Sequence, residues 1–159
     1  MTRVARADEV IELIDIIRRS FTDVSIDKAI EDSFGNIIGK AWHERKAADI
    51  KRDCTLNPEG IFVKVIDGKI AGFITTFLDK DSSTGRIPHL AVSPEYQGKG
   101  VGKELLNHTL KYIKQSGMKL MRIEVLSHNK AALAMYTKAG FKKMSKQLHL
   151  AMLSDKYKG

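Results

Sequence analysis

One cysteine and three prolines in 159 residues leave little chemistry for stapling or breaking a chain. The lone Cys54 can form no intrachain disulfide, so a reducing, cytoplasmic location is expected. Twelve glycines without a repeat or low-complexity tract exclude collagen-like and linker-like chains. No apolar run approaches the length that spans a bilayer, so no membrane partner is expected. The stretch from Val10 to Ile17 is broken by Glu12 and Asp15 and does not read as a signal h-region. The histidines at 43, 89, 108, 128 and 149 show no ligand spacing with one another or with Cys54, so no metal is expected. What remains, 43% hydrophobic and 29% charged, reads as one globular domain over residues 1–159.

Charge is unevenly placed. From Gln97 onward the chain holds 13 Lys+Arg against 3 Asp+Glu, whereas the first 96 residues hold 14 against 16. A basic half points to an anionic partner, which could be nucleic acid, a membrane surface or a phosphate-bearing small molecule. No RNP-like aromatic motif or helix-turn-helix reader accompanies it, so nucleic acid is the weaker reading.

Hydrophobic spacing predicts a first helix through Val10, Ile11, Leu13, Ile14, Ile17 and Phe21, with Asp8 and Glu9 in its first turn. A helical region from about Ser25 to Arg52 is interrupted near Gly35 and Gly39. Two antiparallel strands meet at Asp67-Gly68. A short strand then ends at Ser93-Pro94, and a helix follows the glycine turn from Gly98 to Gly102. Leu120 to Leu126 forms another strand, a short helix runs from Asn129 to about Lys138, and Leu148, Leu150 and Met152 alternate in a final strand. The expected class is α/β (α+β), a mixed central sheet flanked by helices.

The glycine turn is the most informative stretch. A strand, Leu90-Ala91-Val92, feeds through Gln97-Gly98-Lys99-Gly100-Val101-Gly102-Lys103 into a helix. Successive backbone N–H groups at a helix start, with the dipole behind them, suit an anion. A dinucleotide fingerprint starting at Gly98 would need glycine where Lys103 stands, and a P-loop would need glycine at Gln97 and Ser or Thr at Glu104. Gln97-x-x-Gly100-x-Gly102 resembles instead the pyrophosphate motif of the GNAT family of N-acetyltransferases. The resemblance continues in Ile123-Glu124-Val125, Asn129-Lys130-Ala131-Ala132, Met135-Tyr136 and Ala139-Gly140-Phe141. It covers about residues 61–152, behind a helical acceptor-side region at about 7–52.

The resemblance implies an acetyl-CoA co-substrate and a primary amine acceptor, either a small molecule or a peptide N-terminus or lysine. Acetyl transfer would proceed by direct attack in a ternary complex, in a monomer or homodimer. It implies that Leu90, Ala91 and Val92 offer backbone hydrogen bonds to the pantetheine arm, with the Val92 N–H as an oxyanion donor. Gln97, Gly98, Lys99, Gly100, Val101, Gly102 and Lys103 would hold the pyrophosphate. Asn129 and Tyr136 stand two helical turns apart and share a face; Asn129 also suits an N-cap. Tyr136 matches the position that protonates the leaving thiolate, and Glu124 matches a strand glutamate proposed as base. Arg86 and Pro88, at other base positions, cannot serve, and strict alternation turns His89 away from their face. Trp42 reads as core, with a substrate contact as the other reading, and Cys54 as a structural or incidental thiol. A non-catalytic acyl-CoA-binding domain is the alternative.

Overall fold

The computed structural model describes residues 1–158. A first strand that the sequence pattern does not announce, β1 (Thr2–Val4), is followed by helix α1 (Val10–Ser20). Between them Glu9 is buried at 6% exposure, gripped by Arg3 at 2.6 Å and Arg6 at 2.9 Å. The hydrogen bonds from Arg3, and from the Arg6 backbone N–H, hold the Glu9 carboxyl down at about 2 against burial. The periodic face of α1 buries Leu13, Ile16 and Ile17, while Ile11 lies on the solvent side. Helix α2 (Ile26–Phe34) is capped by Ser25, whose hydroxyl accepts from the Lys28 N–H, and α3 (Trp42–Leu56) packs on α1 and α2. The interruption therefore falls where Gly35 and Gly39 place it.

Strands β2 (Phe62–Ile66) and β3 (Lys69–Ile74) form the expected hairpin. Its two turn residues, Asp67 and Gly68, both have positive φ (49° and 74°), the geometry that matches the twist of paired strands. Then follow β4 (Phe77–Asp79), β5 (Thr84–Ile87) and β6 (Leu90–Val92), helix α4 (Val101–Gln115), β7 (Leu120–Ile123) and α5 (Lys130–Lys138). The strands make two sheets, β1-β2-β3-β6 and β4-β5-β7, with only the β5–β7 pairing parallel. Two cores sit on opposite faces. One joins α1 and α3 to Val63, Phe73 and Ala91; the other joins α4 and α5 to Ala71, Ile74 and Ile87.

The two sheets are joined where one long hairpin breaks. Ile74 pairs with Leu90 and Phe77 pairs with Arg86, so two residues on one arm face three on the other. That extra residue is a bulge-like insertion, and it reverses the facing of everything after it. Gly85 and Ile87 face α4, so Arg86 faces away from it. Leu90 faces α4 again, and His89 turns to α3. Strict alternation thus mispredicts His89, which lies on the same face as Arg86.

The C-terminal expectation is also corrected. Residues 141–153 form no strand, and Leu148, Leu150 and Met152 are 83%, 90% and 62% exposed. Alternation describes a chain able to be a strand, but strand formation also needs a neighbour. β7 pairs with β5 alone and takes up no further strand here. The preceding strand is likewise shorter than the sequence pattern, ending at Ile123 rather than Leu126.

Candidate active site

The break in the hairpin opens a wedge. β5 and β7 run side by side as far as the pair Ile87 and Ile123. Beyond it β6 pairs only with β3, while the chain after Ile123 leaves the sheet. His89 and Ser93 exchange backbone bonds with β3, through Thr75 N–H to His89 O and Ser93 N–H to Ala71 O, both 2.9 Å. Leu90 and Val92 hold the alternate positions, so their N–H groups point to the free edge of β6. An extended ligand could lie there as an added strand. Ala91, by contrast, sends its side chain into the α1–α3 core.

The wedge leads to the glycine turn. Pro94–Tyr96 makes a short 3-10 turn, and the Gln97 side chain donates to Val92 O at 3.1 Å, tying turn to strand. Gly100 is the N-cap of α4 with φ 83°, a conformation that opposes any side chain. An added Cβ on Gly102 would lie 3.4 Å from Met135 Sδ and 3.5 Å from Leu90 and Val92 methyls, ordinary contact distances, so this side of α4 faces β6 and α5. Val101 is buried in the α4 core. Lys99 lies over the Tyr96 ring, 5.6 Å from its centroid, and Lys103 is exposed. The α4 N-terminus therefore presents backbone donors flanked by two lysines.

Helix α5 supplies the opposite lip. Asn129 is its N-cap, accepting from the Ala132 N–H at 3.2 Å. Tyr136 is 8% exposed in the α4–α5 core, edge-on to Phe141 at 6.1 Å between centroids. Burial pushes its phenol up to about 12. Glu124 follows β7 directly; it is solvent-exposed and accepts from Arg122 at 3.0 Å. Trp42 is buried at 6% in the α1–α3 core. Cys54 is half-buried on α3, and burial pushes its thiol up, away from the thiolate.

Two features escape the sequence pattern. A cavity of about 910 Å3 lies beyond the wedge, walled by Ile26, Ile30 and Phe34 of α2 and by Leu126, His128 and Leu150. Its walls are far apart in the chain, and no local motif announces them. The second is the pairing of His89 with Asp53, which the register slip brings about and no sequence pattern marks.

This arrangement, a split sheet with a glycine turn capping the helix beyond it, is that of an acyl-CoA-handling fold. Residues 12–141 match the acetyltransferase (GNAT) family, and the chain belongs to that family. Mycothiol acetyltransferase of Streptomyces coelicolor is 32% identical over 98 residues, 62% of this chain and 32% of that one. The ribosomal protein bS18-alanine N-acetyltransferase of Escherichia coli is 33% identical over 100 residues, 63% of this chain and 64% of that one. The matched stretch thus spans between a third and two thirds of these relatives. Among solved structures, the E. coli S18-alanine enzyme superposes with a TM-score of 0.67 at 22% identity, covering 91% of this chain and 79% of the other. PaiA N-acetyltransferase of Thermoplasma acidophilum, in complex with coenzyme A, gives 0.68 at 22%, covering 92% of each. These superpositions establish the fold.

Proposed function

We propose that the chain is an N-acetyltransferase that moves the acetyl group of acetyl-CoA to a primary amine by direct attack in a ternary complex. The observation that carries this reading is the free edge of β6, which delivers the Leu90 and Val92 N–H groups into a wedge continuous with the α4 N-terminus. The residues fit acetyl-CoA. Backbone donors from Gln97 to Lys103 would hold the pyrophosphate, and Leu90 and Val92 would line the pantetheine arm, with Ala91 between them anchored to β3 and the α1–α3 core. The Val92 N–H would donate to the thioester oxygen as it becomes anionic.

Tyr136, protonated at all ordinary pH, would give its proton to the departing thiolate. Glu124, exposed on the other wall, would meet the incoming ammonium and take its first proton into solvent. The cavity beside α2 would seat the acceptor; its lining is half apolar and half polar, with Asp23, Lys28 and Asp32 among the charged groups.

Calorimetry with acetyl-CoA, followed by thiol release across a panel of small amines and peptides, tests the reading. Binding with amine-dependent release is expected. Binding without release to any acceptor would leave a non-catalytic acyl-CoA domain.

A further inference from the structure

The chain holds one buried pair of titratable side chains for which the chemistry above has no use. Asp53 and His89 are 8% and 7% exposed, and His89 Nδ1 lies 2.7 Å from Asp53 Oδ2. Thr75, fully buried, donates its hydroxyl to the same carboxylate oxygen at 2.8 Å and accepts from the His89 backbone N–H at 3.2 Å. Asp53 comes from α3, Thr75 directly follows β3 and His89 directly precedes β6. They meet at the hairpin break, where the extra residue turns His89 to this face.

The pairing fixes the ring. With Asp53 ionised, Nδ1 carries the proton and donates, which leaves Nε2 as a bare acceptor. The two ring nitrogens diverge widely, so Nε2 is turned away from the Asp53 carboxylate. Among the described residues Nε2 has no hydrogen-bond partner, and it is not among the polar atoms sealed from solvent. His89 immediately precedes Leu90, whose N–H faces the wedge. The groups that face the imidazole are the Asp53 carboxylate from α3 and the Thr75 hydroxyl from β3; no other charged group among the described residues contacts it. A ring that is oriented by a carboxylate and has one free lone pair is built to accept a proton.

We propose that His89, positioned by Asp53, is an inner proton acceptor for the amine, acting directly or through one water; this rests on the acetyl-transfer reading. Glu124 takes the first proton of the ammonium at the mouth. The neutral amine attacks the thioester carbon, and as the C–N bond forms its nitrogen becomes strongly acidic. The second proton passes to His89 Nε2. The C–S bond breaks, and Tyr136 gives its proton to sulfur. Glu124 and His89 then release one proton each to water, and Tyr136 regains one. The sum is an ammonium and acetyl-CoA converted to amide, free thiol and one proton.

The test is His89→Asn, whose side-chain amide can still donate to Asp53 but offers nothing at the Nε2 position. Acetyl-CoA affinity, read by calorimetry, should stay within about twofold, while kcat at neutral pH should fall by about 10²-fold or more. Alaninamide and an alanine-initiated peptide serve as probe amines. The acidic limb of the wild-type pH–rate profile should vanish in His89→Asn and be displaced, but kept, in Asp53→Asn, which preserves the contact and removes the charge. A purely structural pair would lower the melting temperature of both variants and leave the shape of the profile alone. A wild-type profile in folded His89→Asn, with chemistry rate-limiting, overturns the assignment, and so does an acidic limb that moves only in Glu124→Gln. Wild-type chain that binds acetyl-CoA but releases no thiol with either probe sinks the transfer reading and this role with it. Loss of acetyl-CoA binding in His89→Asn alone would also sink the role, because it would make the pair a support for the cofactor strand.

Discussion

At the scale of single residues, Tyr136 carries the sharpest expectation. Its phenol, at about 12, is a weaker acid than the thiol it must regenerate, whose ordinary value is about 8.5, a gap of roughly 5 kcal/mol if each titrated alone. A stepwise transfer to a fully formed thiolate is therefore uphill. The same desolvation that raises the phenol also raises the basicity of a sulfur leaving into the wedge, so the proton should move as the C–S bond breaks. Tyr136→Phe should keep acetyl-CoA affinity and lower kcat by about 10²–10⁴-fold. A kcat within twofold of wild type, with chemistry rate-limiting, would return Tyr136 to the core. Glu124 sits at the other extreme, in solvent beside Arg122. Glu124→Gln should raise KM for a cationic acceptor and slow the reaction most at low pH, with partial recovery at high pH, where the amine arrives neutral. An unchanged KM across pH would remove Glu124 from the path.

Elements show which parts of the sequence could be read and why. The hairpin at Asp67-Gly68, the α4 face and the Asn129 cap were legible because each is set by residues within a few positions of one another. Strand β1 was not: three residues carry no periodicity, and β1 exists because β2 offers it an edge and Glu9 ties its Arg3 to α1. Register was not legible either, since a bulge leaves no mark in a pattern of apolar residues. The site divides the same way, for the glycine turn is contiguous and readable, whereas Asp53, Thr75 and His89 meet only after the register slips. Two predictions belong here. Gly102→Asp places an acid in the first turn of α4, where it suits the helix dipole but brings a carboxylate against Met135 and the Leu90 and Val92 methyls, so the melting temperature should fall modestly while the chain stays folded. The same charge opposes the pyrophosphate, and calorimetry should show acetyl-CoA binding weakened by at least about tenfold, or about 1.4 kcal/mol. Glu9 predicts an acid limit for the N-terminal anchor. Its carboxyl sits at about 2 in the fold against 4.5 ordinarily, so its contribution is complete above 4.5 and is lost as pH falls toward 2. Glu9→Gln should cost about 2 kcal/mol at neutral pH and flatten that acid limb in denaturation curves taken across pH.

For the whole molecule, the basic excess falls on the half that carries α4, α5 and the glycine turn. An anion as highly charged as acetyl-CoA should be drawn to that side from a distance, and this attraction is screened by salt. Stopped-flow association rates should therefore fall steeply between low and physiological ionic strength, with dissociation rates nearly constant. Equal sensitivity of both rates would place the effect in the contacts instead of the field. The hairpin break has a different reach. Because the facing of His89 and Leu90 depends on three residues standing opposite two, the site is specified by a count as well as by side-chain identities. Some segments can tolerate a change in length: the turn at 80–83 and the stretch at 35–41 lie outside both cores. The arm from Ile87 to His89 cannot. Deleting Pro88 removes no catalytic group, yet it would rotate His89 off Asp53 or drive Leu90 out of the α4 core. A library of single-residue insertions and deletions should thus find two narrow intervals of intolerance, at 75–76 and 87–89, that include the exposed Pro88, where substitutions that keep the count are tolerated.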